Sequence, residues 1–524
     1  MMHARRLVFP AAMAFGLVTL AQVLTPPPGT PPPPARTPGE QLVDQKRYAD
    51  GLATVEAELK TDPDNPALKL ARVQALAGLS RYVEARTAAV QAMLAHPTVP
   101  ELRYWAGECS WMVGMTTQAI TLWKPLAGDP TWGTVGVDRA VTALRALGKE
   151  SEAKELALAS LMKPGPASPA LLRQALELDR SVENGLKYVD ILTQADPLNA
   201  SDYRNLRKLY EQAGSGTLYE IAPGLQLPAT IPLKERSESQ EFSSFANGYG
   251  GSFNTLSLTT APRVVVPVAF SATSSMKEYM VLDTGSDTFM VTSALVKRLG
   301  LQPVATAEYV GLGHKGVQAS NWVLVKELQV GPVAFRNVPA IVIEKGEDFW
   351  KETAGIVPLS ALKDYGILYN RRKSTLRLYA SGTRPEEALA STGVMTAPFL
   401  WISGRPFAQV RIQEKSNLFC LLDTGLDKSL LDTRRANELG IKANVKYKAQ
   451  TITAMSGTFL ANIANDAVIC LGPAKLNMGT VFLADLPEGW GIITHGIIGR
   501  DVLDLFSIYI DYRANVLAFK GYDK

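Results

Sequence analysis

Asp283 and Asp423 each follow a run of apolar residues, and each opens the tripeptide Asp-Thr-Gly, as Asp283-Thr284-Gly285 and Asp423-Thr424-Gly425. A carboxylate at the end of a buried strand is costly to hold alone, because desolvation penalises its charge. Two brought together share one proton. Their ionisations then split, so that one serves as base and the other as acid. Such a pair holds a water between the carboxyls, deprotonates it with the ionised Asp and delivers it to a carbonyl polarised by the protonated one. Gly285 and Gly425 give each turn its backbone freedom and leave room for the opposite loop. Thr284 and Thr424 offer their hydroxyls to that loop.

The duplication extends well beyond the tripeptide. With an offset of 140, Asp283, Thr284, Gly285, Asp287, Leu299 and Gly300 fall on Asp423, Thr424, Gly425, Asp427, Leu439 and Gly440. With an offset of 141, Gly316, Gly331, Gly355 and Leu376 fall on Gly457, Gly472, Gly496 and Leu517. The economical reading is two homologous halves with one inserted residue between the blocks.

At these residues the chain resembles the retropepsin and pepsin class of aspartic proteases, over about Val264 to Tyr522. The second half carries the likeness best. Leu421-Leu422-Asp423-Thr424-Gly425 is followed by Gly496-Ile497-Ile498-Gly499-Arg500-Asp501-Val502-Leu503, similar to the family's apolar-apolar-Gly element and the start of its short helix. The resemblance implies two fused retropepsin-type lobes, active as a monomer, with Asp283 and Asp423 catalytic and Thr284, Gly285, Ser286, Thr424 and Gly425 supporting them. It implies a structural pair between Asp427 and Arg500. The counterpart of Arg500 in the first half is Leu359, which leaves Asp287 freer to contact substrate backbone. Flap tips are expected at 311–316 and 454–458, with Gly313, Gly316 and Gly457 against substrate; both segments also read as ordinary surface hairpins. Tyr309 and His314 are expected to pack or face solvent. The substrate implied is a peptide or protein, and no cofactor is called for.

The halves depart from one another in telling ways. Ser286 faces Leu426 in the alignment, Pro358 faces Gly499, and Leu359 faces Arg500. A Ser286 hydroxyl on the outer oxygen of Asp283, without an equivalent for Asp423, makes Asp283 the more readily ionised. Pro358 constrains the backbone behind Asp283. The competing reading is a catalytically degenerate, secreted scaffold whose β domain only binds peptides.

The elements that position the dyad are short β runs, including Val264-Val265-Val266, Tyr279 to Leu282, Ile341 to Ile343, Phe419 to Leu422 and Ile508 to Ile510, separated by Gly and polar turns. Brief helices are expected at Ser293 to Leu299 and Thr433 to Leu439. Before them, from about Gln41 to Gly214, the pattern is helical and rich in Ala and Leu. Pro63, Pro97, Pro130, Pro164 and Pro197 punctuate it at steps of 34, 33, 34 and 33. Gly51, Ala85, Ala119 and Ala153 recur every 34 residues, small residues where two helices approach closely, while Gly185 falls two out of phase. This resembles a tetratricopeptide array, a stack of helical hairpins sharing one core, which binds a protein partner along its surface or serves as a spacer. Tyr203 to Gln212 suits a capping helix.

The fold class expected is therefore multidomain: an all-α tetratricopeptide-like solenoid, then a mainly-β bilobal aspartic-protease fold. The divisions are an export signal over 1–21, a Pro-rich linker over 22–40, repeats over 41–215, a linker over 216–262 that also reads as partly an extra strand of the next domain, and lobes over 263–385 and 395–524. The signal rests on the basic His3, Arg5 and Arg6, the apolar Leu7 to Leu20 and the small residues at Thr19 to Ala21; it implies an exported, periplasmic or extracellular protein with no membrane span once removed.

Composition narrows the partners. A net charge of +4 over 524 residues, with no dense Lys/Arg block, argues against nucleic acid. Only His3, His96, His314 and His495 are available, without a His/Cys cluster, so no metal is expected. Cys109, Cys420 and Cys470 cannot form a disulfide framework and read as small buried apolar residues; whether Cys420 and Cys470 pair stays open.

Overall fold

The computed structural model describes residues 36–163, 168–236, 263–270, 278–309, 318–343, 353–414, 416–447, 449–454, 457–486, 492 and 494–522. The expected export signal, the proline tract, Gly313, His314, Gly316 and the hairpin tip at 455–456 lie outside these residues. Among the described residues no helix is long and apolar enough to cross a membrane.

The N-terminal part is a stack of helical hairpins: α1 (Pro38–Asp44), α2 (Tyr48–Thr61), α3 (Pro66–Gly78), α4 (Tyr82–Ala95), α5 (Pro100–Met112), α6 (Thr116–Trp123), α7 (Gly133–Ala146), α8 (Glu150–Leu161), α9 (Pro169–Leu178), α10 (Val182–Ala195) and α11 (Ala200–Ala213). Pro63, Pro97, Pro130 and Pro197 each stand three residues before the next helix. A proline breaks the preceding helix and pushes its neighbour to extended backbone. Pro66, Pro100 and Pro169 then open helices where a missing N–H costs nothing. Gly51, Ala85, Ala119 and Ala153 are the fourth residues of α2, α4, α6 and α8, and all are buried. Gly185 is the fourth residue of α10 and is buried too. Its phase shift reflects the shorter helix α9, 10 residues against 13 in α3 and α5 and 14 in α7, and the helix position is kept.

The C-terminal part is β-rich and built on a pseudo-two-fold. Each half forms a sheet in which the strand leading to Asp-Thr-Gly runs parallel to a later strand. Glu278–Asp283 pairs with Gly355–Pro358, setting Pro358 opposite Asp283. Ser416–Leu422 pairs with Thr494–Ile498, setting Leu422 opposite Ile498. A third, six-stranded sheet joins the halves, with Tyr365–Asn370 antiparallel to Phe506–Asp511. In that pair Leu368 faces Tyr509, its own counterpart in the repeat, so the pseudo-axis passes between them.

Residues 216–236, in the segment expected as a linker or partly as an extra strand, contribute strands. Glu220–Ile221 pairs with Val333–Ile343, Ala229–Pro232 with Thr375–Ala380, and Lys234–Arg236 with Arg263–Ala269. Ala229 and Ile231 are buried between exposed neighbours, the alternation of a half-buried strand.

Both faces of each lobe sheet are covered. In the second lobe Ala408, Val410, Cys420 and Leu422 point to the β core, while Phe407, Phe419, Leu421, Leu430 and Phe482 pack against Trp123, Leu126, Val137, Val141 and Leu144 of the array. In the first lobe Val265, Val281, Met290 and Ile356 pack against Leu206 and Leu209 of α11. A strand buried on both faces reads as a continuous apolar run rather than an alternating one, which accounts for Val264-Val265-Val266 and Phe419 to Leu422. Cys109, Cys420 and Cys470 are buried free thiols, so Cys420 and Cys470 do not pair.

Candidate active site

The two Asp-Thr-Gly turns meet back to back. Thr284 Oγ1 donates to the Leu422 carbonyl (2.6 Å) and accepts from the Thr424 N–H (2.9 Å). Thr424 Oγ1 donates to the Leu282 carbonyl (2.8 Å) and accepts from the Thr284 N–H (3.2 Å). Both threonines are buried, so these reciprocal bonds satisfy groups that water cannot reach.

This interlock sets Asp283 and Asp423 side by side, within hydrogen-bonding reach of one another. The glycines are what let the turns come so close. A Cβ on Gly285 would lie 2.7 Å from Asp423 Oδ2, and one on Gly425 would lie 3.0 Å from Asp283 Cγ. Each turn also feeds its own carboxylate: the Gly285 N–H donates to Asp283 Oδ1 (2.7 Å) and the Gly425 N–H to Asp423 Oδ1 (2.7 Å).

The pair is unequal. Asp283 Oδ1 accepts a second bond, from the Ser286 N–H (3.2 Å). The Leu426 N–H instead meets the Asp423 backbone carbonyl (3.5 Å). Burial raises the Asp283 carboxyl above its ordinary range, opposed by the Gly285 N–H, the bond from Asp423, the Arg405 charge and the Ser286 N–H. Asp423 is pushed well above the ordinary range, first by burial and then by the neighbouring Asp283 charge, with the Gly425 N–H pulling the other way. Both carboxyls are raised, Asp423 the more strongly, as expected of two buried groups that titrate as a pair. The source of the asymmetry differs from the sequence expectation: the Ser286 hydroxyl donates to the Thr288 carbonyl (3.0 Å), and it is the Ser286 backbone that reaches Asp283.

Residues 278–357 match the aspartyl protease family. The match takes in Asp283, Thr284 and Gly285. No curated protein matches the chain. Among solved structures, the chain is similar to the aspartic proteinase from Irpex lacteus at 12% identity, over 50% of this chain and 94% of that one, with a TM-score of 0.31. It is similar to the EIAV protease complexed with the inhibitor HBY-793 at 28% identity, over 19% of this chain and 85% of that one, with a TM-score of 0.16. It is also similar to the MamA protein at 15% identity, over 31% of this chain and 90% of that one, with a TM-score of 0.26.

Outside the matched residues, the second turn is braced from within its own lobe. Arg500, 3% exposed, reaches Asp427 (3.3 Å) and Asp504 (3.1 Å). Asp501 accepts from the Ser429 N–H (3.0 Å) and hydroxyl (2.7 Å), and Ser429 Oγ accepts from the Gly499 N–H (3.0 Å). In the first half Phe289 stands where Ser429 does, so no hydroxyl waits for an N–H at Pro358, whose extended backbone suits a proline.

The first turn is braced from across the molecule, by a residue that sequence reasoning missed. Arg405, at the start of strand Arg405–Ile412, donates through Nε to the Gly285 carbonyl (2.6 Å) and pairs with Asp287 (3.4 Å). The expectation that Asp287 lacks a basic partner is thereby corrected: the partner comes from the other lobe. A signal existed, since Arg263 and Arg405 open equivalent strands of the two halves. Gly457 begins strand Gly457–Ala464, opposite Ala454 in the hairpin expected as a flap. Among the described residues no group of three or more His, Cys, Asp and Glu could hold a metal ion.

Proposed function

We propose that the chain is an aspartic endopeptidase, with Asp283 as general base and Asp423 as general acid. The observation that carries this reading is the paired carboxyls of unequal proton affinity, held by reciprocal threonine bonds; the aspartyl protease match over 278–357 supports it. Ionised Asp283 takes a proton from a water whose oxygen attacks the scissile carbonyl. Asp423 gives its proton to the carbonyl oxygen, forming a neutral gem-diol. Collapse returns a diol proton to Asp423, while Asp283 delivers its proton to the leaving nitrogen and the C–N bond breaks. Both carboxyls come from one chain, so the monomer is sufficient. The helical repeats are the part that takes a protein partner or substrate. Residues 1–21 direct export to the periplasm or beyond.

The test is hydrolysis of a mixed peptide library from about pH 3 to pH 8, with Asp423→Asn alongside. Cleavage by the wild type that the variant loses supports the dyad. A wild type that cuts nothing, or a variant that cuts equally well, favours the binding-only scaffold.

A further inference from the structure

The turn between α7 and α8 enters the junction where the two lobes meet. Gly148 there has φ +71, and a Cβ on it would lie 2.0 Å from the Tyr512 carbonyl oxygen. The single proton of the Tyr512 hydroxyl is shared between the Arg145 carbonyl (2.8 Å) and Glu150 Oε1 (3.2 Å). The same Glu150 oxygen takes a bond from Lys363 Nζ, and its other oxygen lies 3.5 Å from Arg513. Arg513 in turn donates to Asp364 (2.8 Å). One carboxylate of the helical array, 16% exposed, thus joins the first lobe at Lys363 and the second at Tyr512 and Arg513.

Both of these contacts lead to the same place. Lys363 ends the short helix Leu359–Leu362, which follows Pro358, the residue set opposite Asp283; Ser360 on that helix donates to the Asp287 carbonyl (3.4 Å). Tyr512 packs its ring on Trp401, with centroids 5.2 Å apart. Trp401 belongs to strand Phe399–Ile402, which turns directly into Arg405, the residue that grips Gly285 and Asp287. Among the described residues the polar brace of the Asp423 turn is Arg500 and Ser429 of its own lobe, while Leu426 packs against the apolar cluster shared with the array.

We infer that Glu150, a residue of the helical array, is a positioning residue for the Asp283 turn, acting through Lys363 on one side and through Tyr512, Trp401 and Arg405 on the other. The array is then part of the catalytic apparatus, beyond any role in recruitment. The catalytic consequence rests on the proteolytic reading above; the positioning itself does not.

The experiment compares full-length wild type, Glu150→Ala, Glu150→Gln and Leu68→Ala. The last perturbs the separate core of the N-terminal hairpins, where Leu68 is buried, and controls for general destabilisation. Two readouts are taken: peptide hydrolysis, and hydrogen exchange of the peptide spanning 283–288, which carries the Gly285 and Ser286 amides bonded to Asp283. The expected result for Glu150→Ala is a roughly tenfold lower kcat with KM within about twofold, as for a misplaced reacting group, and faster exchange at 283–288. Leu68→Ala should change neither. Glu150→Gln, which keeps an acceptor for the Tyr512 hydroxyl, should fall between. Unchanged exchange at 283–288 in Glu150→Ala overturns the inference whatever the rate, and so does an equal acceleration in Leu68→Ala. Should the wild type cut no peptide, the proteolytic reading fails, and the exchange comparison still decides the role of Glu150.

Discussion

The two Asp-Thr-Gly turns are near copies at their centre and strangers at their edges. The threonine bonds, the glycine contacts and the self-fed carboxylates repeat across the pseudo-axis. The Asp423 turn is then held by its own lobe, through Arg500 and the Asp501, Ser429 and Gly499 bonds. The Asp283 turn is held from outside, by Arg405 of the second lobe and by the helix that Lys363 ties to Glu150. Duplication preserved what the chemistry needs in common and let the supports diverge. The divergence leaves Asp283 with the extra donors and Asp423 with the more strongly raised carboxyl.

Several perturbations would break or sharpen this contrast. The largest effect is expected from deleting the array. A fragment from Ser215 to Lys524, which keeps the three strands between Glu220 and Arg236, bares Phe407, Phe419, Leu421, Leu430 and Phe482, each contributing roughly 1.5–3 kcal/mol when buried, against a total stability of about 5–15 kcal/mol for an ordinary domain. It should show no cooperative thermal transition by near-UV circular dichroism; a sharp one would make the array dispensable to the fold.

Arg500→Leu should cost about 3–5 kcal/mol in urea unfolding, the usual penalty for stranding a buried charge's partners. Arg405→Leu should cost less in stability and show itself in activity instead: without the Arg405 charge Asp283 ionises at higher pH, so the acidic limb of kcat/KM moves upward. Equal effects of the two on stability, with no shift of the limb, would erase the difference between an inner and an outer brace.

Thr284→Val and Thr424→Val should each destabilise by about 2 kcal/mol, because each strands a buried N–H and a carbonyl across the axis. Unequal losses would argue that the centre is less symmetric than its bonds suggest.

A subtler consequence concerns pH. Asp423 has its carboxyl raised in the folded state, so between the unfolded and folded ionisation ranges the native protein binds more protons than the unfolded chain. Its contribution to stability therefore falls as pH rises through that window. Asp423→Asn should be more stable than wild type at pH 7, with the gap closing below the ordinary carboxylate range. Smallest of all, Ser286→Ala should leave hydrolysis nearly unchanged, since the Ser286 backbone supplies the bond to Asp283.

The sequence made the centre legible and the edges less so. Asp-Thr-Gly twice, at a constant offset, is enough to expect two turns meeting at an axis, and the 34-residue step is enough to expect helical hairpins. The pair of Arg500 with Asp427 was legible through the resemblance to the aspartic proteases, carried by Gly499-Arg500-Asp501. Arg405 left only the trace of Arg263 opening the equivalent strand, because its partner Asp287 lies in the other half, and alignment of halves matches equivalents rather than contacts. The covering of the β sheets by the array was encoded in Val264-Val265-Val266 and Phe419 to Leu422, runs without alternation, but a run does not say what covers it. Glu150 carried no signal, since a Glu at the first turn of a helix is ordinary and its partners lie in other domains.

The most direct measurement is the pH dependence of kcat/KM on one cleaved peptide, for the wild type, Asp283→Asn and Asp423→Asn. The wild type should give a bell, its acidic limb set by ionisation of the pair and its alkaline limb above the ordinary carboxylate range, while both variants fall by about 10³-fold or more at every pH. A variant that keeps the wild-type bell would contradict the dyad.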